Sequence, residues 1–158
     1  MKGWGAGALL AIAALCGSTT SCDRSSGKTA PDGLVGSWKL ASLEETGADG
    51  APHNADCTGS LVLTSDGRMS VQVMYRETQS PTGPVQYAQG GYEASFGRYE
   101  VVEPGRSFTY HVEDALVRKL VGQNQKRLYE VSNGKLVIRP PTTDEHWRVT
   151  WERYQGTP

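Results

Sequence analysis

Residues 128–138 read Leu-Tyr-Glu-Val-Ser-Asn-Gly-Lys-Leu-Val-Ile. The central Asn133-Gly134 is a strong short-range signal for a two-residue hairpin turn, because both central residues of such a turn adopt positive φ. A turn there pairs Val131 with Leu136 and Tyr129 with Ile138. Apolar then meets apolar on one face, and Glu130 and Lys126 fall on the other. Two further stretches behave alike. Around Pro104-Gly105 the pairing sets Val101 against Phe108 and Tyr99 against Tyr110. Around Ser65-Asp66-Gly67 a two-residue loop would set Leu63 against Ser70. A three-residue loop with Gly67 left-handed sets Leu63 against Met69 and Leu61 against Val71, and is preferred.

Working outward from these turns, alternation and β-branched or aromatic content predict eight strands, at 35–43, 59–64, 68–76, 94–103, 106–113, 122–131, 135–139 and 146–154. The remaining connections, 44–58, 77–93, 114–121 and 140–145, are long. Tight turns and long loops alternate along the chain. Successive connections of an antiparallel meander alternate ends, so tight turns gather at one end and long loops at the other. The predicted fold is all-β, an eight-stranded up-and-down antiparallel barrel with a closed base and a loop-ringed mouth. A two-sheet sandwich would share the strand count but not the reason for the alternation.

Composition narrows the function classes. The 158 residues suit one ordinary domain, and a formal net charge of −1 gives no electrostatic footprint for nucleic acid. Lys2 followed by the apolar run 7–16 reads as a signal segment, too short for a mature membrane span. Small residues 17–21 then lead up to Cys22, as in a bacterial lipoprotein signal whose cysteine becomes acylated. The division expected is a signal peptide at 1–21, a flexible tether at 22–33 and a barrel domain at 34–156. The expected location is the bacterial cell envelope, with a lipid anchor at Cys22. A soluble periplasmic or secreted form is the alternative, in which Cys22 is free to pair with Cys57.

Trp38 and Arg153 are assigned to the structure. Strand one starts and strand eight ends at the tight-turn end, so closure brings Arg153 beside Trp38 as a floor plug. Arg127 shares the apolar face of its strand, and an inward guanidinium needs a partner. The reading that follows is an anionic head group held by Arg127, with Tyr75, Tyr99, Tyr110, Tyr129 and Trp151 along the apolar body of a ligand. His111 and Glu113 form a tempting acid–base pair with Arg98 across the strand. Parity points all three outward, as a solvated charge cluster, unless the barrel interior is polar. The three histidines are scattered, no nucleophile elbow or phosphate loop is present, and no metal or cofactor is expected.

Leu34-Val-Gly-Ser-Trp-Lys-Leu40, Gly67-Arg-Met-Ser-Val-Gln72, Phe96-Gly-Arg-Tyr-Glu-Val101, His111-Val-Glu113 and Trp151-Glu-Arg153 together resemble the bacterial and fungal lipocalin-like domain family, here in the form of a lipoprotein. The resemblance spans about residues 34–154. It implies an eight-stranded barrel with an internal cavity and implies little about activity. The expected function is an extracytoplasmic protein that binds a small hydrophobic molecule. One alternative is an isomerase or cyclase using His111 and Glu113 in a polar cavity. The other is a filled barrel acting as an envelope interaction protein.

Overall fold

The computed structural model describes residues 33–47, 49–77 and 87–155. The signal segment, Cys22, the tether up to residue 32 and most of the 77–93 loop lie outside the described residues. Nine strands follow in order: β1 Gly36–Thr46, β2 Pro52–Asn54, β3 Cys57–Leu63, β4 Arg68–Tyr75, β5 Tyr92–Glu103, β6 Ser107–Ala115, β7 Asn124–Ser132, β8 Lys135–Arg139 and β9 Trp147–Arg153. All neighbours are antiparallel, and β9 pairs back onto β1, from Trp38↔Arg153 to Glu45↔Trp147, which closes the sheet. Eight strands make the barrel. The three-residue β2 is an added rung on the outer half of β1.

The three tight hairpins take the register that side-chain patterning predicts. Leu63 faces Met69, Val101 faces Phe108, and Val131 faces Leu136. Gly67, Asn133 and Gly134 have φ of 83°, 49° and 73°, the left-handed conformations these loops require. The long-loop end departs from expectation. β1 runs on to Thr46 because its outer half finds partners in both β2 and β9. β5 starts at Tyr92 because its first residues pair with the end of β4, Val73↔Glu93 and Met74↔Tyr92.

β6 carries a bulge against β5: Phe96 pairs with Asp114 and Gly97 with Val112, which leaves Glu113 as the extra residue. A Cβ on Gly97 would lie 2.0 Å from the His111 carbonyl oxygen, so no side chain fits at that crossing. The bulge bends the sheet where β5 turns its inner face around the cavity.

At the tight-turn end Trp38 is fully buried, and its indole N–H donates to the Leu34 carbonyl at 3.1 Å. The Arg153 guanidinium lies 4.3 Å from the indole centroid and donates to the carbonyls of Val35, at 3.0 Å, and Gly33, at 2.6 Å. Gly36 passes beneath it with φ of 148°, and a Cβ there would lie 2.2 Å from Arg153 Nη1. Leu34, Phe108, Leu61, Leu63 and Leu136 pack above this floor and fill the lower half of the barrel.

Candidate functional site

Above the packed half, the barrel is hollow. A cavity of about 60 Å³ lies between the inner faces of β3–β9, with Leu61, Val71, Ile138 and Val149 among its apolar walls. It is well below the roughly 150 Å³ of a cavity that takes one benzene ring. Its polar lining comes from Tyr87, Glu93, Tyr110, Gln125 and Arg127, and its aromatic lining is completed by Trp147 and Trp151.

Arg127 points inward from β7, where it stands opposite Phe108. Its guanidinium lies 5.1 Å from the Trp147 ring centroid and donates to Gln125 Oε1 at 2.6 Å and to the Lys126 carbonyl at 3.1 Å. Burial lowers its pKa, while the nearby carboxylates of Glu145 and Glu93 act in the opposite direction. No carboxylate among the described residues forms an ion pair with it. Among the described residues, two of its five N–H donors are thus engaged.

Glu93 is the other charged group. It projects from the start of β5, opposite Val73, on the same cavity wall as Tyr87. Burial raises its pKa from 4.5 to about 7, against the opposing pull of Arg127 and the Tyr87 hydroxyl. Residual accessibility at this half-buried residue fits its position on the cavity wall. Tyr110 donates to Ser95 Oγ at 3.0 Å, and burial pushes its pKa up to about 12. The site is therefore a small, aromatic, partly desolvated chamber with a guanidinium and a carboxyl group that titrates near neutrality.

Several residues expected to touch a ligand lie elsewhere. Tyr99 and Tyr129 do face inward, but they belong to the floor. The Tyr99 hydroxyl donates to the Thr64 carbonyl at 2.8 Å, and Tyr129 accepts from the Gly105 N–H at 2.7 Å. Each ties a tight turn to the barrel wall. Tyr75 is buried, donates to Glu45 Oε2 at 2.6 Å and meets the Tyr87 ring edge-on at 4.8 Å, so it backs the cavity instead of lining it. Tyr110, Trp151 and Arg127 do line it.

His111, Glu113 and Arg98 lie on the outer face, as parity indicates, and the alternative that puts them in a polar cavity is corrected. His111 stands opposite Arg98 on the outer face and shares a 2.7 Å hydrogen bond between Nδ1 and Asn124 Oδ1. Glu113 takes a two-pronged pair from Arg68, both contacts at 2.7 Å, which holds its carboxyl below the usual range. The alternation of β6 puts Phe108, Tyr110 and Val112 inside and these groups outside. Cys57 is half-buried beside Glu45 and Asp56, and burial pushes its thiol up to about 11, which suppresses thiolate chemistry. Among the described residues no group of three or more His, Cys, Asp and Glu side chains converges on a metal site.

Glu93, Tyr87, Gln125 and Trp147 are absent from the residues selected by sequence. Parity alone reaches three of them: 93 shares the face of Ser95 and Tyr99, 125 that of Arg127, and 147 that of Val149. Starting the predicted strand 94–103 at residue 94 hid Glu93, which lies in β5 Tyr92–Glu103. Tyr87 lies in a loop, where alternation carries no information.

The closed eight-stranded meander with its floor plug has a counterpart among known families: residues 35–154 match the family of the lipocalin-like domain. This chain belongs to that family. The match covers every strand of the barrel, so the lipocalin-like domain and the described β-structure coincide. No curated protein matches the chain in sequence. The lipocalin-like barrel is a binding-protein fold, and its interior is where the chemistry of this chain is concentrated.

Proposed function

We propose that this lipocalin-like protein binds a compact, largely apolar molecule with an acidic head group, held inside the barrel. The observation that carries the reading is Arg127, a cation turned into an aromatic cavity and stacked over Trp147. An inward guanidinium with spare donors is costly unless an acceptor completes it. A carboxylate does so with two parallel hydrogen bonds. Tyr110, Trp147 and Trp151 offer flat apolar surface to the ligand body, and Glu93 accepts from a hydroxyl or other donor on it. The cavity, about 60 Å³, is far smaller than the roughly 300–1,000 Å³ of drug-sized sites and than the roughly 150 Å³ that takes a benzene ring, which selects a short-chain acid of a few heavy atoms.

The protein acts outside the cytoplasm in this proposal. The signal-like segment at 1–21 and the small residues before Cys22 support export and acylation, and a tether through residue 33 holds the barrel beside the membrane. The chain reaches the barrel at the plugged floor, where Arg153 donates to the Gly33 carbonyl, and not at the cavity end. Intact-mass measurement of the mature protein tests the anchor: an acyl increment on Cys22 is expected, and an unmodified N-terminus contradicts it. Native mass spectrometry of protein purified from its own host tests the ligand. A bound organic acid retained by wild type and lost in Arg127→Gln is expected. An empty barrel, or equal retention by the variant, contradicts the reading.

A further inference from the structure

Arg68 and Glu113 satisfy one another on the outer face of the barrel, whereas an outer groove elsewhere holds cations without ion pairs. The groove measures about 540 Å³, within the roughly 300–1,000 Å³ of ligand sites, and lies between the β5–β6 turn and the outer face of β7–β9. Leu128 and Val137, both half-buried, form an apolar floor, and Arg106, Glu130, Arg139 and Arg148 ring it. We infer that this groove binds the phosphate of an anionic phospholipid headgroup and seats this flank of the barrel on a membrane surface. The choice of a lipid as the source of the phosphate rests on the anchored reading proposed above.

Alternation along β8 and β9 sends Arg139 and Arg148 outward. The rung beyond Ile138↔Val149 sets them directly opposite each other. Like charges so placed destabilise a sheet unless an anion offsets them. Among the described residues neither makes an ion pair. Glu130 stands opposite Val137, and Glu44 stands opposite Arg148 on its other side. Arg106 pairs at 3.4 Å with Glu103 of its own turn. The whole chain has a formal net charge of −1, so the basic groove is a local arrangement and not a consequence of composition. A single guanidinium fork saturates a carboxylate. A phosphodiester shares its charge between two diverging oxygens, which suits two guanidiniums on adjacent strands. Leu128 and Val137 cover the carbon skeleton beside the phosphate, and Glu130 accepts from a headgroup hydroxyl. The entry of the chain favours a lipid. A Cβ on Gly33 would lie 3.2 Å from Val131 Cγ1, so the chain arrives beside β7, next to Glu130 of the groove. An anchor at Cys22 then holds this flank, and not the cavity end, near the headgroups.

The test is co-sedimentation of the full chain with lipid vesicles. Every protein carries Cys22→Ser, so acylation contributes nothing and a failure of the anchor stays distinct from a failure of the groove. Vesicles of phosphatidylcholine alone are compared with vesicles of phosphatidylcholine and phosphatidylglycerol in equal parts. Binding should favour the anionic vesicles and weaken with added salt. Arg139→Gln combined with Arg148→Gln should lower affinity for the anionic vesicles about 10-fold to 30-fold. This variant should unfold at no lower temperature than the parent, since it removes a like-charge pair. Arg118→Gln combined with Lys119→Gln removes the same charge from the short turn Arg118–Leu120, outside the groove, and should cost less than about threefold. Equal losses in the two double variants, or no preference for anionic vesicles, overturn the inference. Binding of soluble glycerol 3-phosphate through Arg139 and Arg148 with no vesicle binding makes the phosphate a soluble one and overturns the membrane assignment. An unacylated Cys22 overturns the anchor and leaves the vesicle result standing.

Discussion

At the scale of single residues, two side chains decide opposite ends of the barrel. Trp38 is fully buried, capped by Arg153 and hydrogen-bonded to Leu34. Trp38→Ala should destabilise by about 3–5 kcal/mol in urea titration, with ligand affinity of the remaining folded fraction unchanged. A fully stable variant would show that the floor does not hold the closure. Glu93 makes a prediction about pH. Its folded pKa lies near 7, above its ordinary value of 4.5, so the folded state holds the proton more tightly than the unfolded chain. This contribution to stability is fully present below about pH 4.5 and is lost as pH rises through about 7. Glu93→Gln should therefore flatten that decline, gaining on the order of 2–3 kcal/mol relative to wild type between pH 5 and pH 8. Thermal unfolding at the two pH values reads it; identical pH slopes in both proteins would contradict the buried carboxyl. Residue-scale legibility in the sequence was uneven for a physical reason. Alternation reports which face a side chain takes and says nothing of its height along the axis. Tyr99 and Tyr110 share an inner face, yet one bonds a floor turn and the other lines the cavity.

At the scale of elements, the tight hairpins were readable because their register is set within a dozen residues by glycine, asparagine and apolar pairing. The long-loop end was not. The extension of β1 depends on the short rung β2 and on β9 at the far end of the chain, and the early start of β5 depends on β4 across the long 77–93 loop. Glu93 went unseen for that reason: it lies in the part of β5 that only non-local pairing reveals. The bulge at Gly97 belongs to the same class, since its need for glycine comes from a carbonyl on β6. Gly97→Ala should cost about 1–3 kcal/mol by forcing that crossing apart. Gly105→Ala, in a turn with open space around it, should cost nearer 1 kcal/mol, through its positive φ alone. Equilibrium unfolding of the two variants side by side checks the order, and equal costs would mean the bulge yields more easily than its geometry indicates.

At the scale of the whole molecule, closure divides the barrel into a filled lower half and a small charged chamber above it. The division gives each half a separate role. Floor residues hold the sheet shut, and Arg127, Glu93 and their aromatic neighbours line the cavity. Outer-face groups such as Arg68 and Glu113 satisfy one another and leave the chemistry to the interior. The central claim is that Arg127 inside this chamber recognises an acidic ligand. Calorimetric titration of propionate against its methyl ester, in wild type and Arg127→Gln, tests it most directly. The account predicts that wild type prefers the acid by about tenfold or more and that Arg127→Gln loses the preference while still folding. Equal affinity of wild type for acid and ester, or an acid preference that survives in the variant, would contradict it.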